Sequence, residues 1–171
     1  MMDLRNIIRD IPDWPKKGII FKDITTLLKD AQAFKSATDA IYAQVKDLGI
    51  TKVVAIESRG FILGGVLALK LNAGFIPVRK PKKLPADTIK VTYQLEYGTD
   101  SLEMHRDAIV PGDRVLLHDD VLATGGTAAA TISLIEQLGG KVEACSFIIE
   151  LGFLGGAARL PGRTIHSLLK Y

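Results

Sequence analysis

Two adjacent carboxylates, Asp119 and Asp120, stand just ahead of a run of small residues, Ala123-Thr124-Gly125-Gly126-Thr127. Carboxylates accept hydrogen bonds from vicinal sugar hydroxyls. Glycines let backbone N–H groups approach an anion closely, and a helix starting at such a loop adds unpaired donors and a positive dipole end. Thr124 and Thr127 add hydroxyl donors. An acid pair beside an anion loop suits a phosphorylated sugar, because a site for phosphate alone has no use for the acids. The apolar run Val115-Leu116-Leu117 reads as a buried parallel strand, and the alanine-rich stretch behind the loop reads as helix. No lysine follows the glycines, which argues against a P-loop.

Two further anion sites suggest themselves. Glu57-Ser58-Arg59-Gly60-Phe61 follows the apolar stretch Lys52–Ile56, and Arg59 is placed to hold an anion together with nearby amides. Arg79-Lys80-Pro81-Lys82-Lys83 follows the apolar residues 75–78. No aromatics interleave with this basic run, so a clamp on an anionic ligand fits it better than nucleic acid does. Cys145 is the only cysteine and sits in an apolar run, as a buried strand thiol would. His105, His118 and His166 are scattered without metal-ligand spacing, and no Ser-His-Asp motif is visible. His118 reads as a strand residue partly facing a helix.

The elements that position these groups follow from periodicity. Leu4, Ile7, Ile8 and Ile11 have helical spacing behind Asp3 as N-cap, which predicts a short helix ended by Pro12 and Pro15. Residues 18–24 read as extended. Asp30 opens a longer helix with Phe34, Ala37, Ile41, Val45 and Leu48 on one face and Gly49 as its stop. Strands are predicted over 52–56, 75–78, 115–117, 141–149 and 164–169, with a helix over 61–71. This succession implies an α/β fold with a mostly parallel central sheet flanked by helices. Ligands bind such sheets beyond the carboxyl ends of the strands. Glu57, Arg79 and Asp119 each follow a predicted strand end, so three loops should converge on one site. Residues 88–95 alternate as a solvated strand or hairpin would, and the polar excursion from Pro81 to Gly98 reads as an active-site flap.

The 171 residues predict a single domain, 1–171, with 47% hydrophobic and 24% charged residues in the range of an ordinary globule. The net charge of +3 permits anionic substrates without arguing for nucleic acid. No apolar run suggests a membrane span, and the opening residues do not resemble a leader, so a cytoplasmic address is expected.

The string RVLLHDDVLATGGTAAAT resembles the phosphoribosyl-pyrophosphate (PRPP) motif of the type I phosphoribosyltransferases, and its ATGGT loop is most similar to the adenine enzymes of that family. The likeness extends in family order from Ile11 almost to the C-terminus. Glu57-Ser58-Arg59-Gly60-Phe61 resembles the family's pyrophosphate loop, which often carries a non-proline cis peptide, here between Glu57 and Ser58. LEYGTDSLEMHRDAI resembles its flexible catalytic loop, which implies that Glu96 and Tyr97 act near the base. Ile20-Phe21-Lys22-Asp23-Ile24 matches the family's hood string.

The resemblance implies the type I phosphoribosyltransferase fold, with a small hood from about 1–30 and 150–171 and a flexible catalytic loop. The implied reaction is purine salvage: adenine and PRPP give AMP and pyrophosphate. Phe21 would stack on the purine, backbone groups of Ile20 and Lys22 would read its edge, and Leu151 would close the other side. Family members often carry a polar residue where Phe153 stands. Ala123, Thr124, Gly125, Gly126 and Thr127 would hold the 5-phosphate, with Asp119 and Asp120 on the ribose. Glu57, Ser58, Arg59, Arg79, Lys80 and Lys83 would serve the pyrophosphate. Glu96 is the expected proton acceptor, and Asp119 and Asp120 the other catalytic groups. Mg²⁺ would be held mainly by PRPP and water. A homodimer that binds neither nucleic acid nor membranes is implied. The competing readings are another purine base (hypoxanthine, guanine or xanthine) and a PRPP-sensing regulator on the same fold.

Overall fold

A computed structural model describes residues 3–94 and 98–171. The chain forms two compact units, one reaching to Ala40 and the other Ile41–Tyr171.

In the first unit Asp3 caps as expected, accepting a hydrogen bond from the Arg5 N–H at 3.0 Å. The expected helix, however, is only a 3-10 turn, Leu4–Asn6. Strand pairing takes over from it. β1 (Arg9–Pro12) and β2 (Ile20–Asp23) run antiparallel, with Ile11 opposite Phe21. Trp14 meets Phe21 edge to face, with ring centroids 4.5 Å apart. Buried Asp23 ties the ribbon to the next turn. The Thr25 N–H and then the Arg9 guanidinium hold its carboxyl down at about 2. A short α1 (Thr25–Leu28), not foreseen, precedes α2 (Ala31–Val45). Asp30 caps α2 through bonds from the Gln32 and Ala33 N–H groups, both 2.9 Å. Ala33, Ala37, Ile41 and Val45, four apart, form its buried stripe.

The second unit continues with β3 (Lys52–Ile56), α3 (Gly60–Leu71), β4 (Gly74–Val78), β5 (Thr88–Gln94), β6 (Thr99–His105), β7 (Arg114–Leu122), α4 (Gly126–Gln137), β8 (Lys141–Glu150) and β9 (Ile165–Lys170). Among the described residues, five of these strands form one parallel sheet in the order β4-β3-β7-β8-β9. Side chains alternate across it. Val54, Ile56, Val115, Leu117, Cys145 and Phe147 share a core with Ala128, Ile132 and Ile135 of α4. Burial pushes the Cys145 thiol up to about 12, so it is an inert core group.

Helix α3 lies against the opposite face. A Cβ added to Gly64 would come 2.6 Å from the Ala55 Cβ and 3.7 Å from His118 Cδ2, so only glycine admits this approach. Helices thus flank both faces of the sheet. His118 is fully buried, with Nδ1 2.9 Å from the Ser146 hydroxyl, and burial lowers its pKa to about 4. It is neutral at pH 7 and lends no charge to Asp119.

Strand β7 is longer than its apolar run suggests and contains the acid pair, which was expected beyond the strand end. The cause is β8. Its backbone pairs Asp119 with Phe147, Val121 with Ile149 and Leu122 with Glu150. Strands β5 and β6 form an antiparallel hairpin with Gln94 opposite Thr99, and it packs on α4. Glu96 and Tyr97, assigned to the catalytic loop, lie outside the described residues. Among those described, no helix is long and apolar enough to cross a membrane.

Candidate active site

Asp119 and Asp120 sit together near the carboxyl end of β7, where Asp119 also meets the start of α3: a Cβ on Gly60 would lie 2.9 Å from its Oδ1. Asp119 lines a cavity of about 70 Å³ together with Ala123, Thr124, Gly125, Thr127 and Phe147. A liquid water occupies about 30 Å³, so the space is on the scale of one phosphate group. Asp120 is buried, its Oδ2 2.6 Å from Arg59 Nε at the start of α3. Burial raises the pKa of both acids. Asp120's charge adds to the rise at Asp119, whereas Arg59 opposes it at Asp120. The pair is held where two negative charges are unfavourable until donors arrive.

The loop after β7 supplies donors. Gly125 caps α4 in the left-handed conformation, φ 80°, which an L side chain takes only under strain. No side chain caps the helix and no acid sits in its first turn. Its opening N–H groups are therefore available to an anion. A second chain segment shapes the loop. The 3-10 turn Gly156–Arg159 presses on it so closely that a Cβ on Gly156 would lie 2.2 Å from the Ala123 carbonyl oxygen. Sequence reading did not single out Gly156 as a support of the loop. The Gly155-Gly156 doublet was the available sign of close backbone approach.

Every cation assigned to the second anion site is paired with an acid. Glu57 follows β3, and its Oε2 accepts from Arg79 Nε at 2.8 Å while its Oε1 accepts from Lys83 Nζ at 2.9 Å. Burial pushes the Glu57 pKa up, but the Lys83 and Arg79 bonds outweigh it and the net shift is downward. The peptide joining Glu57 to exposed Ser58 is cis, where the resemblance placed it. Arg79 is also bound to β6 by reciprocal backbone bonds with Glu103, of 3.0 and 2.8 Å. Lys80 pairs with Asp100 of β6. Glu103 and Asp100 were not anticipated, because only the hairpin register brings them to the basic run.

Within the second unit, then, Arg59 is paired with Asp120, Arg79 and Lys83 with Glu57, and Lys80 with Asp100. Leu151 is half-buried just after β8, its N–H donating to the Leu122 carbonyl at 2.9 Å. In the first unit, Ile20 is exposed, Phe21 is half-buried against Trp14, and Lys22 pairs with Asp10 at 2.7 Å. Among the described residues, no group of three or more His, Cys, Asp or Glu side chains stands close enough to hold a metal ion. A Mg²⁺ ion carried by substrate phosphates, with water completing its shell, is compatible with this donor set.

The phosphoribosyl transferase domain model matches residues 24–158. The chain is 59% identical to an adenine phosphoribosyltransferase of Alkaliphilus metalliredigens, over 99% of this chain and 100% of that one. It resembles a crystal structure of adenine phosphoribosyltransferase from Thermoanaerobacter pseudethanolicus with a TM-score of 0.96 and 50% identity, covering 98% of each chain. It also resembles the Saccharomyces cerevisiae adenine phosphoribosyltransferase complexed with an imino-altritol bisphosphate and adenine. There the TM-score is 0.93 and the identity 38%, covering 97% of this chain and 96% of that one.

Proposed function

The chain belongs to the type I phosphoribosyltransferases, and from that premise we infer how its own residues carry out the family's chemistry. It transfers the 5-phosphoribosyl group of PRPP to adenine, giving AMP and pyrophosphate. The observation that carries the residue assignment is the acid pair of β7 running into the uncapped start of α4, with a phosphate-sized cavity between them.

In this reading the 5-phosphate lies on the loop Ala123-Thr124-Gly125-Gly126-Thr127. The ribose hydroxyls donate to Asp119 and Asp120, which satisfies carboxylates that burial otherwise penalises. Substitution at the anomeric carbon passes through an oxocarbenium-like state, so the protein manages charge and needs no nucleophile. The acid pair favours the positive ring. Arg59, Arg79, Lys80 and Lys83 stabilise charge growing on pyrophosphate, with Ser58 on the same loop. Glu57 aims Arg79 and Lys83. Mg²⁺, held mainly by PRPP and water rather than by side chains, would help neutralise leaving-group charge. From the family strings, Ile20, Phe21 and Lys22 read the base, Leu151 supplies an apolar contact to it, and Glu96 accepts the purine proton beside Tyr97. The same resemblance supports one working domain with hood segments at about 1–30 and 150–171, and a cytoplasmic homodimer.

The test is turnover of purified protein with PRPP, Mg²⁺ and each purine base in turn. AMP and pyrophosphate should form in equal amounts with adenine, and kcat/KM for hypoxanthine and guanine should be lower by a large factor. Comparable kcat/KM for hypoxanthine would move the specificity to 6-oxopurines. Binding of PRPP without turnover on any base would make the chain a sensor.

A further inference from the structure

Tyr93 of β5 lies between the phosphate loop and Asp100, the partner of Lys80. Its hydroxyl lies 3.3 Å from Thr127 Oγ1 on the phosphate loop and 3.4 Å from Asp100 Oδ2. Asp100 in turn pairs with Lys80 of the basic run. The Tyr93 ring packs beside the loop, and a Cβ on Gly126 would come 3.4 Å from its Cδ2. No residue between the two sites in sequence suggested this link.

Counting protons shows what the link does. Three oxygens are in line, and only Thr127 and Tyr93 carry a proton, because an ionised carboxylate accepts only. With Tyr93 donating to Asp100, Thr127 donates to Tyr93 and its proton points away from the loop. A phosphate is also only an acceptor toward Thr127. When Thr127 donates to it, the Thr127–Tyr93 bond is kept only if the phenol turns and donates to the Thr127 oxygen. Both distances exceed the roughly 2.7–2.8 Å of a full O–H···O bond, so neither acceptor holds the phenol tightly. Lys80 keeps Asp100 paired when the phenol turns.

We propose that Tyr93 is a positioning residue for the 5-phosphate: its hydroxyl turns from Asp100 to Thr127, so that the Thr127 proton is aimed at the phosphate of PRPP or AMP. This rests on the reading of the loop as the 5-phosphate site. AMP carries that phosphate and pyrophosphate does not, so calorimetric binding of the two separates the sites. Tyr93→Phe keeps the ring and should weaken AMP by about three- to tenfold, the usual worth of one net hydrogen bond, while leaving pyrophosphate affinity unchanged. In a Thr127→Val background the same change should have no further effect on AMP. Asp100→Ala removes the competing acceptor and should leave AMP affinity equal or tighter, a readout that does not depend on how Tyr93→Phe folds.

Unchanged AMP binding in Tyr93→Phe, a fully additive loss in the double variant, equal weakening of pyrophosphate, or an AMP loss in Asp100→Ala would each overturn the proposal while the loop assignment stands. A wild-type protein that bound pyrophosphate but no AMP would overturn the loop assignment itself, and the proposal with it.

Discussion

Replacing Gly156 by alanine should disable the phosphate loop from outside it. A Cβ there would stand 2.2 Å from the Ala123 carbonyl oxygen and 3.0 Å from the Gly125 nitrogen. Both are backbone atoms that no rotamer change can move aside. Restoring van der Waals distance requires a shift of about 1 Å between the 3-10 turn and the loop, and overpacking of this kind costs about 1–3 kcal/mol. The larger effect falls on function, since a displacement of about 1 Å in a binding element commonly lowers the rate about 10²-fold. The assay is kcat/KM for PRPP together with AMP affinity, beside a thermal melt. Gly162→Ala is the control: its φ of 71° strains any L residue, but nothing lies within 4 Å of the added Cβ. It should lose about 1 kcal/mol of stability and keep wild-type kcat/KM. Wild-type kcat/KM in folded Gly156→Ala would refute the idea that the turn sets the loop.

Stability should also depend on pH through His118, whose folded pKa of about 4 lies below the 6.5 of an exposed imidazole. Between these values the unfolded chain binds the extra proton. The contribution is therefore present above pH 6.5, is lost as pH falls through about 4, and amounts to about 3 kcal/mol. Denaturant melts from pH 7 to 4 should show that slope in the wild type, and His118→Gln should remove it; an unaltered slope in the variant would place its source elsewhere. Glu96→Gln should lower kcat well beyond any change in adenine affinity, since it removes basicity while keeping size. Unchanged kcat would make Glu96 a bystander.

What could be read from the sequence was what is local. The loop at residues 123–127, the Arg59 string and the basic run are each contiguous, and hydrophobic runs located every strand of the parallel sheet. Two local readings failed where a distant segment intervened. Leu4, Ile7, Ile8 and Ile11 have helical spacing, yet Ile11 pairs with Phe21 ten residues away in a strand. The acid pair looked like loop because carboxylates are poor strand formers, yet β8 pairs the backbone of β7 beyond them. The supports of the site were illegible for the same reason. Gly156 meets Ala123 and Tyr93 meets Thr127 only after folding, and the periodicity of either segment alone does not encode that contact.

The acid pair is the centre of the site, and Asp119→Asn tests its role with two readouts that move in opposite directions. An acid whose folded pKa is raised contributes stability below its unfolded pKa and loses it as pH rises through the folded value, so at pH 7 the buried Asp119 carboxyl costs the fold energy. Asparagine keeps the shape and an acceptor oxygen for the Asp120 N–H, which now lies 2.9 Å from Asp119 Oδ1. The ligand-free variant should therefore melt at or above the wild-type temperature at pH 7. Its kcat/KM for PRPP should fall by about 10²–10³, the usual loss when one charge-stabilising group is removed from a reacting centre. A variant that melted lower yet turned over PRPP at the wild-type rate would show that Asp119 serves the fold and not the sugar.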